Sequence, residues 1–73
     1  MDNVNNASKY ATADDFNRWT ERAKTMTDAE LDYGMRDAAK TATLLDKHDP
    51  VLAGRYMDEA ATYAQEIMNR RAR

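Results

Sequence analysis

Residues 44–56 read LLDKHDPVLAGRY and hold the chain's single histidine and single proline two positions apart. Two readings compete for this stretch. As chemistry, Asp46, His48 and Asp49 would supply metal ligands or acid–base groups. As architecture, Asp49-Pro50 starts a helix, because aspartate is a strong N-cap and proline at the first helical position loses nothing through its missing N–H. The second reading accounts for more of the residues. Asp46 falls in the last turn of the preceding helix, and there is no second histidine and no cysteine to complete a zinc set. The spacing of oxygen-bearing side chains does not match a calcium loop either. His48 is therefore read as a solvent-exposed turn residue, favoured when protonated near a helix C-terminus. No metal and no cofactor are expected.

If this stretch is a turn, the helices on either side are joined by about three residues and must run antiparallel. Upstream, Thr27 and Glu30 in TDAE form a capping box, with Asp28 adding negative charge to the first turn. Leu31, Met35, Ala38, Ala42 and Leu45 then make a seam at heptad-like spacing over a helix of residues 28–46. Downstream, Ala53, Met57, Ala60, Ala64 and Ile67 give the matching seam of a helix over 50–71. Alanine dominates both seams, which predicts a close hairpin with the larger residues packing at its ends. Gly34 lies at the edge of its seam and costs about 1 kcal/mol relative to alanine. It is either a close-packing position, beneath an aromatic of the first helix, or a tolerated flaw.

Farther upstream, Thr12 and Asp15 repeat the N-cap pattern, and Phe16, Trp19, Ala23 and Met26 form one apolar stripe. A first helix over 13–25 follows, and it must end where Thr27 leaves helical geometry. Residues 1–11, MDNVNNASKYA, show no periodicity and are rich in asparagine, so they read as an extended arm. The expected architecture is all-α: an arm over 1–11 and one small domain over 12–73, with helices at 13–25, 28–46 and 50–71.

A chain of 73 residues buries only about 60% of its unfolded surface, and without cysteine it has no disulfide to compensate. Partner binding is a natural supplement to such a core. The first residues lack the apolar core of a signal peptide, and no stretch approaches the length of a membrane span. The net charge is −2, but residues 1–66 carry 8 basic and 13 acidic groups while Arg70, Arg71 and Arg73 close the chain. An acidic body argues against a dedicated nucleic-acid-binding domain, which shows a broad basic face. The arginine tail is left as a possible phosphate contact, or as a complement to the helix dipole.

The surface is more informative than the charge. On a helical wheel the third helix is apolar over too wide an arc, with Leu52, Tyr56 and Tyr63 on one flank of its seam and Met68 on the other. Arg55, Asp58, Glu59, Thr62, Gln65 and Glu66 make up its compressed polar side. Tyr33 and Leu44 share the face of the second helix opposite its seam. Adjacent carboxylates at Asp14/Asp15 and Asp58/Glu59 point about 100° apart on a helix and do not face a common substrate. Phosphate loops and nucleophile–base patterns are absent, so an enzyme is not expected. The expected contact residues are Val4, Tyr10, Tyr33, Leu44, Tyr56 and Tyr63.

Taken together, Thr27, Asp28, Glu30, Leu31 and Tyr33, then Asp49-Pro50, then Gly54, Arg55, Tyr56, Asp58 and Glu59, then Tyr63, Glu66, Arg70 and Arg71 resemble a pattern of short helical proteins encoded by tailed bacteriophages. The similarity spans residues 26–71 and brings no catalytic residues with it. It implies a phage origin and a location in the phage head, or otherwise the bacterial cytoplasm. The expected role is a capsid or head accessory protein, decoration- or cement-like, that binds a larger virion protein, most simply the major capsid protein. Self-association, a regulatory or inhibitory binder of a host protein, and a DNA-contacting head protein using Arg70, Arg71 and Arg73 are the alternatives.

Overall fold

Each helix begins at a side chain that satisfies its first free amides. In the computed structural model, which describes residues 10–73, Thr12 Oγ1 accepts from Asp15 N and Asp15 Oδ2 accepts from Thr12 N, both at 3.1 Å. This box opens α1, Ala13–Thr25. Thr27 and Glu30 repeat it at 3.1 and 2.7 Å and open α2, Asp28–Leu45. Asp49 Oδ1 accepts from Leu52 N at 3.2 Å with Pro50 in the first turn, opening α3, Pro50–Ala72. Among the described residues there is no strand, and the expected all-α architecture is the one that forms. Leu45 O accepts from both His48 N and Asp49 N, at 2.9 and 2.7 Å, which closes the α2–α3 turn.

Near that turn the hairpin is built from small residues: Ala38, Ala42, Ala53 and Ala60 are buried. Bulk accumulates at the open end, where Trp19, Ala23, Leu31 and Tyr63 form the core and Ala11, Met26, Met35 and Ile67 pack around it. Leu31 is fully buried, a contribution of about 2 kcal/mol. Ala11 reaches this core even though it closes the stretch read as an arm.

The register of α3 differs from the expected seam. Ala53, Ala60, Tyr63 and Glu66 are buried, whereas Met57 is 51% exposed. Tyr63 and Glu66 were expected on an outer flank and on the polar side; both turn inward. The physical cause is that each polar tip finds a partner: Tyr63 Oη donates to Glu59 Oε2 at 2.6 Å, and Glu66 Oε2 accepts from Arg70 Nε at 2.9 Å. A buried polar group so satisfied loses most of its desolvation penalty. Phe16 also departs from expectation. It is exposed, with its ring edge-on to Trp19 at 5.4 Å and 82°.

Helix α1 lies along α3, held at both of its ends by arginines of that helix. At its start, Asp15 is buried and accepts from Arg55 Nη2 at 3.2 Å and from Arg18 Nη2. The Arg55 guanidinium lies 5.4 Å from the Trp19 ring centroid, a cation–π placement. At the end of α1, Arg70 spends four hydrogen bonds: Nη2 to Ala23 O (2.9 Å) and Met26 O (2.7 Å), Nη1 to Asp28 Oδ1 (2.7 Å), and Nε to Glu66. One side chain thus caps the C-terminus of α1, pairs with the first residue of α2 and is itself anchored on α3. Asp28, then Glu66, raises its pKa above the ordinary value, so it stays charged throughout.

Arg70→Ala is expected to lower Tm by several degrees, whereas Arg73→Ala leaves it unchanged; thermal melts by circular dichroism distinguish them. Thr12, Arg55 and Arg18 hold the Asp15 carboxyl well below the usual carboxylate range. A depressed folded-state pKa stabilises fully above the unfolded value and is lost as pH falls through the folded one. Tm should therefore fall from about pH 4 downward, and Asp15→Asn should lower Tm at neutral pH while flattening that acid dependence.

Candidate partner-binding groove

Beside Gly34, between α2 and α3, lies a groove of about 540 Å³. Its floor is Gly34, Ala38 and Tyr63; Tyr33 from α2 and Tyr56 from α3 also line it. The glycine is the reason the floor can exist. A Cβ added at Gly34 would lie 3.2 and 3.3 Å from Tyr63 ring carbons and 3.4 Å from the Met26 methyl. Gly34 is therefore a close-packing position, and the aromatic above it comes from α3 rather than α1.

Charged residues line the groove beside the aromatics: Arg22, Glu30, Asp37 and Glu59. Arg22 Nη1 donates to Tyr63 Oη at 3.2 Å and lies 4.0 Å from Glu59 Oε2, so the hydroxyl is held between a cation and a carboxylate. Burial, reinforced by Glu59, raises the Tyr63 pKa. The phenol remains protonated at neutral pH and acts as a fixed donor. Glu30 and Asp37 line the same groove, making its surroundings more acidic than basic. The arrangement suits a non-covalent occupant with an apolar body and polar or basic edges.

Three of the expected contact residues converge on this groove, though in unequal roles. Tyr33 is 71% exposed and Tyr56 half-buried, both accessible to a partner. Tyr63 is only 2% exposed, so it is corrected from a contact residue to part of the floor. Tyr10 is exposed and Leu44 is 68% exposed, but neither lines the groove. Val4 lies outside the described residues. Of the possible phosphate contacts, Arg71 and Arg73 are exposed, whereas Arg70 is committed to the α1–α2 junction. His48 is exposed in the turn, and no group of three or more metal-binding side chains occurs among the described residues.

Sequence reasoning missed Arg22 and Glu59 as partners of Tyr63: Arg22 lies 41 positions away, and Glu59, only four away on the same helix, reads as part of a polar face. Gly34 was the available signal, as a helical glycine has to be offset by something. Among the described residues no helix is long and apolar enough to cross a membrane. Comparison with protein-family models, with curated proteins and with solved structures yields no match, so function has to be argued from geometry and sequence pattern.

The two glycines should respond oppositely to alanine. Gly34→Ala gains about 1 kcal/mol of helix propensity but crowds a ring pinned by two hydrogen bonds, where overpacking costs about 1–3 kcal/mol; net destabilisation is expected. Nothing lies within 4 Å of a Cβ at Gly54, so Gly54→Ala should stabilise by about 0.5–1 kcal/mol. Urea denaturation of both variants measures the contrast.

Proposed function

We propose that this chain is a non-enzymatic capsid or head accessory protein of a tailed phage, docking on a larger virion protein through the tyrosine-walled groove. The supporting observation is the groove itself. Tyr33 is left 71% exposed beside Tyr56, over a floor made permanent by the Gly34–Tyr63 contact. Tyrosines at the centre of a contact supply large apolar area together with a hydroxyl that can stay hydrogen-bonded, and they are enriched among residues that dominate binding energy. The phage setting rests on the sequence resemblance, and the major capsid protein is the simplest partner present in many copies.

A regulatory binder of a host protein would use the same groove and differs in where the protein resides. A DNA-contacting role is not favoured, because Arg70 is withdrawn into the fold and two exposed arginines make a weak electrostatic footprint.

Mass spectrometry of purified particles of the encoding phage should find the protein at a fixed ratio to capsid protein, and its absence would reject the head-accessory reading. In co-sedimentation with particles lacking the protein, Tyr33→Ala and Tyr56→Ala should each weaken binding about 10–30-fold. His48→Ala should bind as the wild type does.

A further inference from the structure

The inward rotation of α3 that buries Tyr63 leaves a second surface on its far side. At 100° per residue, Gly54, Met57, Ala61, Ala64 and Met68 occupy an arc of about 80°. Met57 is 51% and Met68 61% exposed, Gly54 and Ala61 are exposed, and Ala64 is half-buried. No charged residue of α3 falls within that arc. A helix normally turns its charged side to water, so this outward stripe is inverted. It also reads the same in both directions: Met, three residues, Ala, two residues, Ala, three residues, Met.

Charges at the ends of the stripe bear on what covers it. Arg71, one turn beyond Met68, has no ion-pair or hydrogen-bond partner for its side chain among the described residues; neither do the carboxylates of Asp46 and Asp58 at the other end. There, Gly54 and Met57 line a hollow of about 420 Å³ together with Asp46 and Lys47. The unpaired cation and the hollow lined by the unpaired Asp46 carboxylate, with Asp58 outside that lining, are thus the two ends of one self-symmetric stripe.

We propose that a second copy of this chain covers the stripe, with the two α3 helices antiparallel about a two-fold axis between residues 62 and 63. Met57 then faces Met68 of the other copy, Ala61 faces Ala64, and Arg71 enters the hollow over Gly54, beside Asp46. The central alanines allow close helix approach, methionine fits irregular contacts, and an isologous interface requires this self-complementarity. The absence of a side chain at Gly54, which no intramolecular contact requires, leaves room for the arginine. The tyrosine groove is about 120° or more around α3 from the stripe, so the dimer presents two open grooves and would bind a repeating partner bivalently. The dimer stands independently of the capsid-docking reading, since its test uses the purified chain alone.

A single helix face falls short of the roughly 800 Å² per partner of standard interfaces, so the dissociation constant should be on the order of micromolar. Sedimentation equilibrium of the full chain from about 1 µM to about 1 mM should show a monomer–dimer equilibrium. Met68→Glu, at an exposed position and with unchanged circular dichroism, should weaken it at least about tenfold. A chain that stays monomeric throughout, or a Met68→Glu variant that dimerises like wild type, overturns the proposal. The chain has no cysteine, so single Ala61→Cys and Ala64→Cys variants give a clean test of register. Their mixture should cross-link 61 to 64 faster than either variant cross-links to itself; preferential like-with-like cross-linking overturns the antiparallel arrangement.

Discussion

The contact of the Tyr63 ring with Gly34 sets the rotation of α3, and most of the molecule's surface follows from it. The ring lies so close to the α2 backbone that a Cβ at position 34 would crowd it. Once seated, its hydroxyl is held by Glu59 and Arg22, which draws α1 onto the same side. Rotating α3 by about 50° about its axis would bring Met57 inward and turn Tyr63 toward the flank. The chain avoids that state because the methionine register would not satisfy the Arg22–Tyr63–Glu59 network. A polar network of this kind selects one packing among several that hydrophobicity alone would permit.

The helix boundaries were legible because they are decided locally. Thr12, Thr27 and Asp49 each cap a helix through residues no more than three positions away, and each does so in the structure. The hairpin was legible for a related reason, since a short link with an N-cap and a proline leaves few alternatives. The register of α3 was not. Residues 53, 57, 60, 64, 67 and residues 53, 56, 60, 63, 67, 70 both follow heptad-like spacing, and apolarity alone prefers the first. What selects the second is that a tyrosine, a glutamate and an arginine can be buried together when they satisfy one another. Part of that information is local, in the Tyr63–Glu59 and Glu66–Arg70 pairs within α3, and part sits in α1 and α2, about 40 residues away.

The candidate groove was half legible for the same reason. Tyr33, Tyr56 and Tyr63 stood out as excess aromatic surface, but only the fold separates the two that are accessible from the one that supports them. Arg70 shows the opposite error. Read as a charged tail, it acts as an internal clamp, because its donors meet the free carbonyls where α1 ends. An arginine at a helix C-terminus complements its own helix dipole in general; here it also closes the C-terminus of a different helix.

That clamp also fixes an order of assembly. The α2–α3 hairpin closes across a four-residue link, but the partners that fasten α1 to α3 are 40 to 47 positions apart in sequence. Contacts this distant form late, after the local ones have paid the entropy of closure. On a ribosome elongating at about 5–20 residues per second, 47 positions correspond to about 2–9 s between the synthesis of Ala23 and that of Arg70. Until Arg55 has been made, Trp19 lacks its cation–π partner, and α1, at 13 residues, is too short to be stably helical by itself. The corner where α1, α2 and α3 meet is therefore the last part of the core to close.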